Sequence, residues 1–100
     1  MMTLQQEIAL HSPNLCQQFG VKRLGLFGSV ARGDNLSSSD IDFFAEFENP
    51  TPETMPDRYF GFITEAEKIY QRPIQLLTPR MIRNPFLKRA IDRDMVIIYE

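Results

Sequence analysis

The stretch Leu26-Phe27-Gly28-Ser29-Val30-Ala31-Arg32-Gly33, followed after a polar loop by Ser39-Asp40-Ile41-Asp42, decides how this chain is read. A Gly-Ser pair closes one apolar run, ten residues pass after Ser29, and two carboxylates one residue apart open a second apolar run. Gly28 permits close backbone approach, and Ser29 offers a hydroxyl and an N–H to a phosphate oxygen. Ser29 also stands where a short helix can begin, and helix N-termini favour anions. Arg32 adds a fixed positive charge suited to a triphosphate. Each signal is weak alone, since Gly-Ser occurs in plain turns and Asp-x-Asp can cap a strand entry. Their conjunction is what points to chemistry.

On a strand from Ile41 to Phe47, the residues Ile41, Phe43, Ala45 and Phe47 share one face, while Asp40, Asp42, Phe44 and Glu46 share the other. The first set reads as core. The second puts two carboxylates on one side, roughly 7 Å apart at Cβ. Such a pair repels itself, and a hard divalent cation such as Mg²⁺, which takes oxygen ligands and nucleotide phosphates, reverses that repulsion. Asp40 and Asp42 are therefore the candidate metal ligands and catalytic residues, and Gly28, Ser29 and Arg32 the candidate nucleotide-binding residues.

Outward from this stretch, Val21 to Phe27 reads as a strand in which Gly25 allows another backbone to approach closely. Before it, Thr3 caps a short helix over residues 3 to 10 carrying Leu4, Ile8 and Leu10. Ser12-Pro13 restarts a second helix with Leu15, Cys16 and Phe19 inward, and Gly20 stops it. After the Pro-rich connector from Glu48 to Pro56, residues 57 to 71 form a helix with Phe60, Ile63, Ala66 or Glu67, and Tyr70 facing the core, widened by Tyr59 and Ile69. Gly61 weakens that helix by about 1 kcal/mol relative to Ala. Residues 73 to 78 form a third strand. Asn84-Pro85 opens a helix to about Arg93 with Phe86, Leu87, Ala90 and Ile91 inward, and residues 95 to 99 form a fourth strand. The expected fold is α/β (α+β): one domain over residues 1–100, with a small mixed sheet of about four strands flanked by helices.

Composition narrows the function. The chain is 43% hydrophobic and 24% charged, with a net charge of −2, which argues against a dedicated nucleic-acid binder. Charge is nonetheless segregated: Asp34 to Asp57 holds seven acids and no base, whereas Arg72, Arg80, Arg83, Lys88, Arg89 and Arg93 crowd the C-terminal part. Cys16 is alone and reads as a small buried hydrophobe, which with a single His excludes the usual zinc sites and fits a reducing cytoplasm. The N-terminus lacks the basic flank and apolar stretch of a signal peptide, and no apolar run approaches membrane-spanning length.

Residue by residue, L-F-G-S-V-A-R-G and S-D-I-D-F resemble the minimal nucleotidyltransferase domains of the DNA polymerase beta superfamily, whose signature is Gly-Ser, ten residues, Asp-x-Asp. The likeness in element order runs from about Leu15 to Glu100. It implies a polymerase beta-like nucleotidyltransferase fold, with Gly28 and Ser29 holding the triphosphate of ATP and Asp40 and Asp42 binding Mg²⁺. It also implies transfer of a nucleoside monophosphate, AMP in the expected case, to a hydroxyl. Such domains are commonly paired with a HEPN-domain toxin protein, so the resemblance implies an antitoxin that modifies a hydroxyl of that partner. One departure stands out. The family supplies a third carboxylate from a neighbouring strand, in an apolar-Asp-Leu pattern, and this chain has Ile74-Gln75-Leu76 there. An alternative follows from it: a catalytically impaired binding module that neutralises its partner by contact alone.

Overall fold

The alternating apolar and polar residues of two segments, Val21–Phe27 and Ile41–Phe47, build the centre of the fold. In the computed structural model, which describes Met1–Glu100, they are strands β1 and β2. The remaining elements are α1 (Leu4–Phe19), α2 (Gly28–Arg32), α3 (Met55–Tyr70), β3 (Ile74–Leu77), a 3₁₀ turn (Pro79–Met81), α4 (Pro85–Asp94) and β4 (Val96–Tyr99). The sheet order is β3-β2-β1-β4; β1 runs antiparallel to β2 and β4, and β2 runs parallel to β3. This is the expected mixed four-stranded sheet.

Ile41, Phe43, Ala45 and Phe47 are all buried on one face of β2, as their period of two requires. Against them lie α1 and α3. Phe43 meets Phe62 edge-to-face at 5.6 Å, and Ile8, Leu15, Cys16, Ala66 and Tyr70 belong to the same cluster. Burial pushes the Cys16 thiol up to about 12, so it stays a protonated packing group. The other sheet face, carrying Phe44 and Glu46, is only partly covered: with Lys88 and Asp92 of α4 it lines an open groove of about 420 Å³.

Three helix expectations need correction. Residues 3 to 10 and 12 to 19 form one helix rather than two, with Pro13 inside it. Thr3 does cap its start, in a reciprocal box with Gln6. Pro13 removes one backbone hydrogen bond, but Ile8, Ser12, Leu15 and Cys16 form a single buried stripe that continues across it. The Ser12 hydroxyl is satisfied within the helix by the Ile8 carbonyl. Leu10, off that stripe, is 60% exposed.

In α3 the buried residues are Phe62, Ala66 and Tyr70, spaced by four, while Phe60 is 64% exposed. The helix is rotated from the expected face because Phe62 fills the space between Phe19 and Phe43. Gly61 is part of that fit. A Cβ there would lie 2.5 Å from the Phe19 ring. Helix propensity predicts that Gly61→Ala stabilises the protein; the packing predicts the reverse, a loss of about 1–3 kcal/mol, read as a lower thermal midpoint. In α4 only Ile91 is buried, and Phe86 and Leu87 face outward, because the helix meets the rest of the fold mainly through β1 and α2.

Two arginines that the sequence reading did not single out brace the loops. Arg58 of α3 donates to the carbonyls of Phe19, Gly20 and Glu48, closing the α1–β1 corner, and its guanidinium lies over the Phe47 ring. Arg72 donates to the carbonyls of Leu36 and Ser39, holding the loop that leads into Asp40. No helix is long and apolar enough to cross a membrane.

Candidate active site

The end of β1 and the start of β2 are brought together by antiparallel pairing, with Phe27 opposite Asp42. The turn at Gly28-Ser29 therefore lies beside the carboxylates, although ten residues intervene in sequence. Gly28 sits at φ 74°, the left-handed region, and a Cβ on it would run into the Asp42 carboxylate. Both facts require glycine there. The turn and the acid are therefore immediate neighbours.

α2 begins at this turn and is only five residues long. It is anchored from both sides: Gln5 of α1 donates to the Val30 carbonyl, and the Gly33 and Asp34 N–H groups return to Ser29. Val30 is fully buried beneath it. Ser29 is half-buried and stays beside Gly28, within the same turn that abuts Asp42. Arg32 ends the helix, exposed, donating from Nε to Asp34 and from Nη1 to Asp94.

Asp42 is half-buried, whereas Asp40, which precedes the first residue of β2, is exposed. Burial raises the Asp42 carboxyl above its ordinary range, the charge of Asp40 raises it further, and Arg32 works against both. Asp40 and Arg32 thus both act on Asp42 through space.

Across the parallel pairing of β2 and β3, Asp42 is registered with Gln75, which is exposed. Neighbouring residues in register point to the same side of a sheet. The neutral amide of Gln75 thus stands on the Asp42 side, where it can lend an oxygen but no charge. Glu46, further along β2, is turned to Arg23, and no cluster of three or more His, Cys, Asp or Glu side chains forms a metal cage.

A family model for the nucleotidyltransferase domain matches residues 8–98, which span α1 to β4 and so include the Gly-Ser turn, the paired acids and Gln75. This chain belongs to the nucleotidyltransferase domain family. It is accordingly an enzyme of the nucleotidyltransferase class. Among curated relatives it is similar to MJ1379 of Methanocaldococcus jannaschii, named as a candidate protein adenylyltransferase, at 34% identity over 95% of this chain and 94% of that one. Among solved structures it is similar to a candidate minimal nucleotidyltransferase, with TM-score 0.74 and 25% identity, covering 95% of each chain. The nucleotidyltransferase fold recurs in a toxin–antitoxin structure solved with AMP-PNP, at TM-score 0.70 and 14% identity, covering 91% of this chain and 72% of that one.

Proposed function

We propose that this nucleotidyltransferase uses Mg²⁺ to transfer AMP from ATP to a hydroxyl of a partner protein, and that the partner is a HEPN-domain toxin it neutralises in the cytoplasm. The observation that carries this reading is the abutment of Gly28 on Asp42. It joins a turn suited to phosphate to a carboxylate whose charged form is disfavoured by burial and by Asp40. The protein-acceptor element is supported by the relative named as a candidate protein adenylyltransferase, and the antitoxin element by the fold shared with the toxin–antitoxin structure.

The residues present fit a divalent cation. Asp40 and Asp42 supply hard anionic oxygens and the Gln75 amide a neutral one, a donor set suited to Mg²⁺ accompanied by nucleotide phosphates. When bound, such a cation draws charge off the phosphates and favours ionisation of an attacking hydroxyl. Gly28 and Ser29 hold and orient the triphosphate by backbone N–H groups and the Ser29 hydroxyl. Arg32 offsets its negative charge. With the α-phosphate set against Asp42, the acceptor oxygen forms a new bond to phosphorus as the bond to the pyrophosphate oxygen breaks. The hydroxyl proton passes to solvent, and pyrophosphate departs.

Incubating the protein and its partner with ATP and Mg²⁺ or Mn²⁺ should add one AMP mass to the partner, read by mass spectrometry. No adduct under either metal would overturn the catalytic reading. The neutral Gln75 beside Asp42 favours a second one, a contact-only antitoxin. Under that reading, neutralisation survives Asp40→Ala combined with Asp42→Ala; loss of protection with the complex intact would exclude it.

A further inference from the structure

Arg32 reaches across the fold in a way that its place beside the Gly-Ser turn did not announce. Its Nη1 donates to Oδ2 of Asp94, 62 residues away at the last position of α4, at 3.0 Å, and its Nε donates to Asp34 at 3.1 Å. The two acids differ. Asp94 has a side chain 13% exposed and accepts a further contact from Arg93 Nε at 3.3 Å; Asp34 is 61% exposed and follows Gly33 in the loop.

Stability does not account for Asp94. The guanidinium is 45% exposed, and solvent screens an ion pair of that kind so that it adds little to stability. A carboxylate at a helix C-terminus also opposes the helix dipole. Arg32 and Arg93 offset that, holding the Asp94 carboxyl below the usual range, with the Arg32 hydrogen bond as the main cause. What the pair does fix is direction: it ties α4 to α2 and turns one edge of the guanidinium to Asp94, leaving Nη2 without a partner in the fold.

We propose that Asp94 is a positioning residue that aims Arg32 at the triphosphate, and that Asp34 is the exchangeable partner which the triphosphate displaces. The proposal rests on the nucleotidyltransferase reading above. Before nucleotide arrives, Asp34 occupies the edge of the guanidinium open to solvent. A phosphate oxygen, carrying more charge, takes over that edge, while Asp94 keeps its hold from the other side.

The two acids then have opposite effects on nucleotide affinity, which a merely structural role would not produce. Titration calorimetry of the full chain with MgATP, and with Mg²⁺ and inorganic tripolyphosphate, tests this. Asp94→Asn should weaken both ligands about three- to fivefold, the range of an exposed charge-assisted contact, and Asp94→Glu should restore part of the loss. Asp34→Asn should tighten both by a similar factor. Arg32→Gln should abolish the difference between the Asp34 and Asp94 variants. An Asp94→Asn variant that binds as wild type, or an Asp34→Asn variant that binds more weakly, would overturn the proposal. Wild-type protein that binds neither ligand would instead overturn the nucleotide reading itself. Both acids lie outside the core cluster, so equal thermal midpoints should show that the variants are folded.

Discussion

Asp42→Asn is expected to lower AMP transfer by roughly three orders of magnitude, about 4 kcal/mol of transition-state stabilisation, while making the metal-free protein more stable. The two effects share a cause. Asp42 is half-buried, next to Asp40 and against Gly28, so its ionised form is disfavoured in the folded state. Its folded pKa is raised above the unfolded value. At neutral pH the charged side chain therefore subtracts from stability, and the subtraction disappears as pH falls below the ordinary carboxylate range and Asp42 is protonated in both states. Asn fills nearly the same space without the charge.

Thermal unfolding in the presence of a chelator should show a higher midpoint for Asp42→Asn at neutral pH and no difference at low pH. Adding Mg²⁺ with ATP should raise the wild-type midpoint, because a ligand that binds only the folded state stabilises it, and should leave the variant unmoved. A variant that is less stable than wild type without metal would show that Asp42 has a structural role. One that keeps full transfer would remove it from the catalytic site.

Gln75→Asp should act in the opposite sense on every readout. Because Gln75 is in register with Asp42 on a parallel neighbour, a carboxylate there adds a third anionic ligand to the same side of the sheet. Binding of Mn²⁺ with a non-hydrolysable ATP analogue should tighten on the order of tenfold, about 1.4 kcal/mol, and transfer should rise with it. The metal-free midpoint should fall, since three like charges repel more than two. Gln75 is exposed, so the variant disturbs no packing. Unchanged metal affinity would mean that the Gln75 side chain turns away from the site. A gain in affinity with no gain in transfer would favour the contact-only antitoxin.

Much of the architecture could be read from residues because its signals were local. The alternation from Ile41 to Phe47 has only one outcome when one face is buried, and a one-residue slip would turn Phe43 and Ala45 to solvent. The Thr3 and Asn84 caps, the Gly20 stop and the Gly28-Ser29 break were legible for the same reason: each is a short-range backbone requirement. The placement of Gln75 beside Asp42 also followed from strand order. The helices were harder. In α3 the spacing pointed to a face bearing Phe60, and the Phe19 and Phe43 rings selected the one bearing Phe62 instead. In α1, Pro13 looked like a restart because propensity counts the lost hydrogen bond and not the buried stripe running past it.

For the site itself, the sequence by itself determined the candidates, Gly28, Ser29 and Arg32 as a turn suited to phosphate and Asp40 and Asp42 as paired acids, while the family resemblance marked Gln75 as standing where a third charge was expected. The turn and the paired acids are matters of residue type and short spacing within one strand-turn-strand unit, whereas Gln75 lies on a separate strand, β3. Only the tertiary structure decided that the Asp42 carboxylate lies against Gly28, that Arg72 holds the loop before Asp40, and that Asp94 reaches Arg32 from the far end of α4. Those contacts join residues tens of positions apart. They depend on how helices seat on the sheet, which is set by side-chain volumes from several elements at once and by no local pattern.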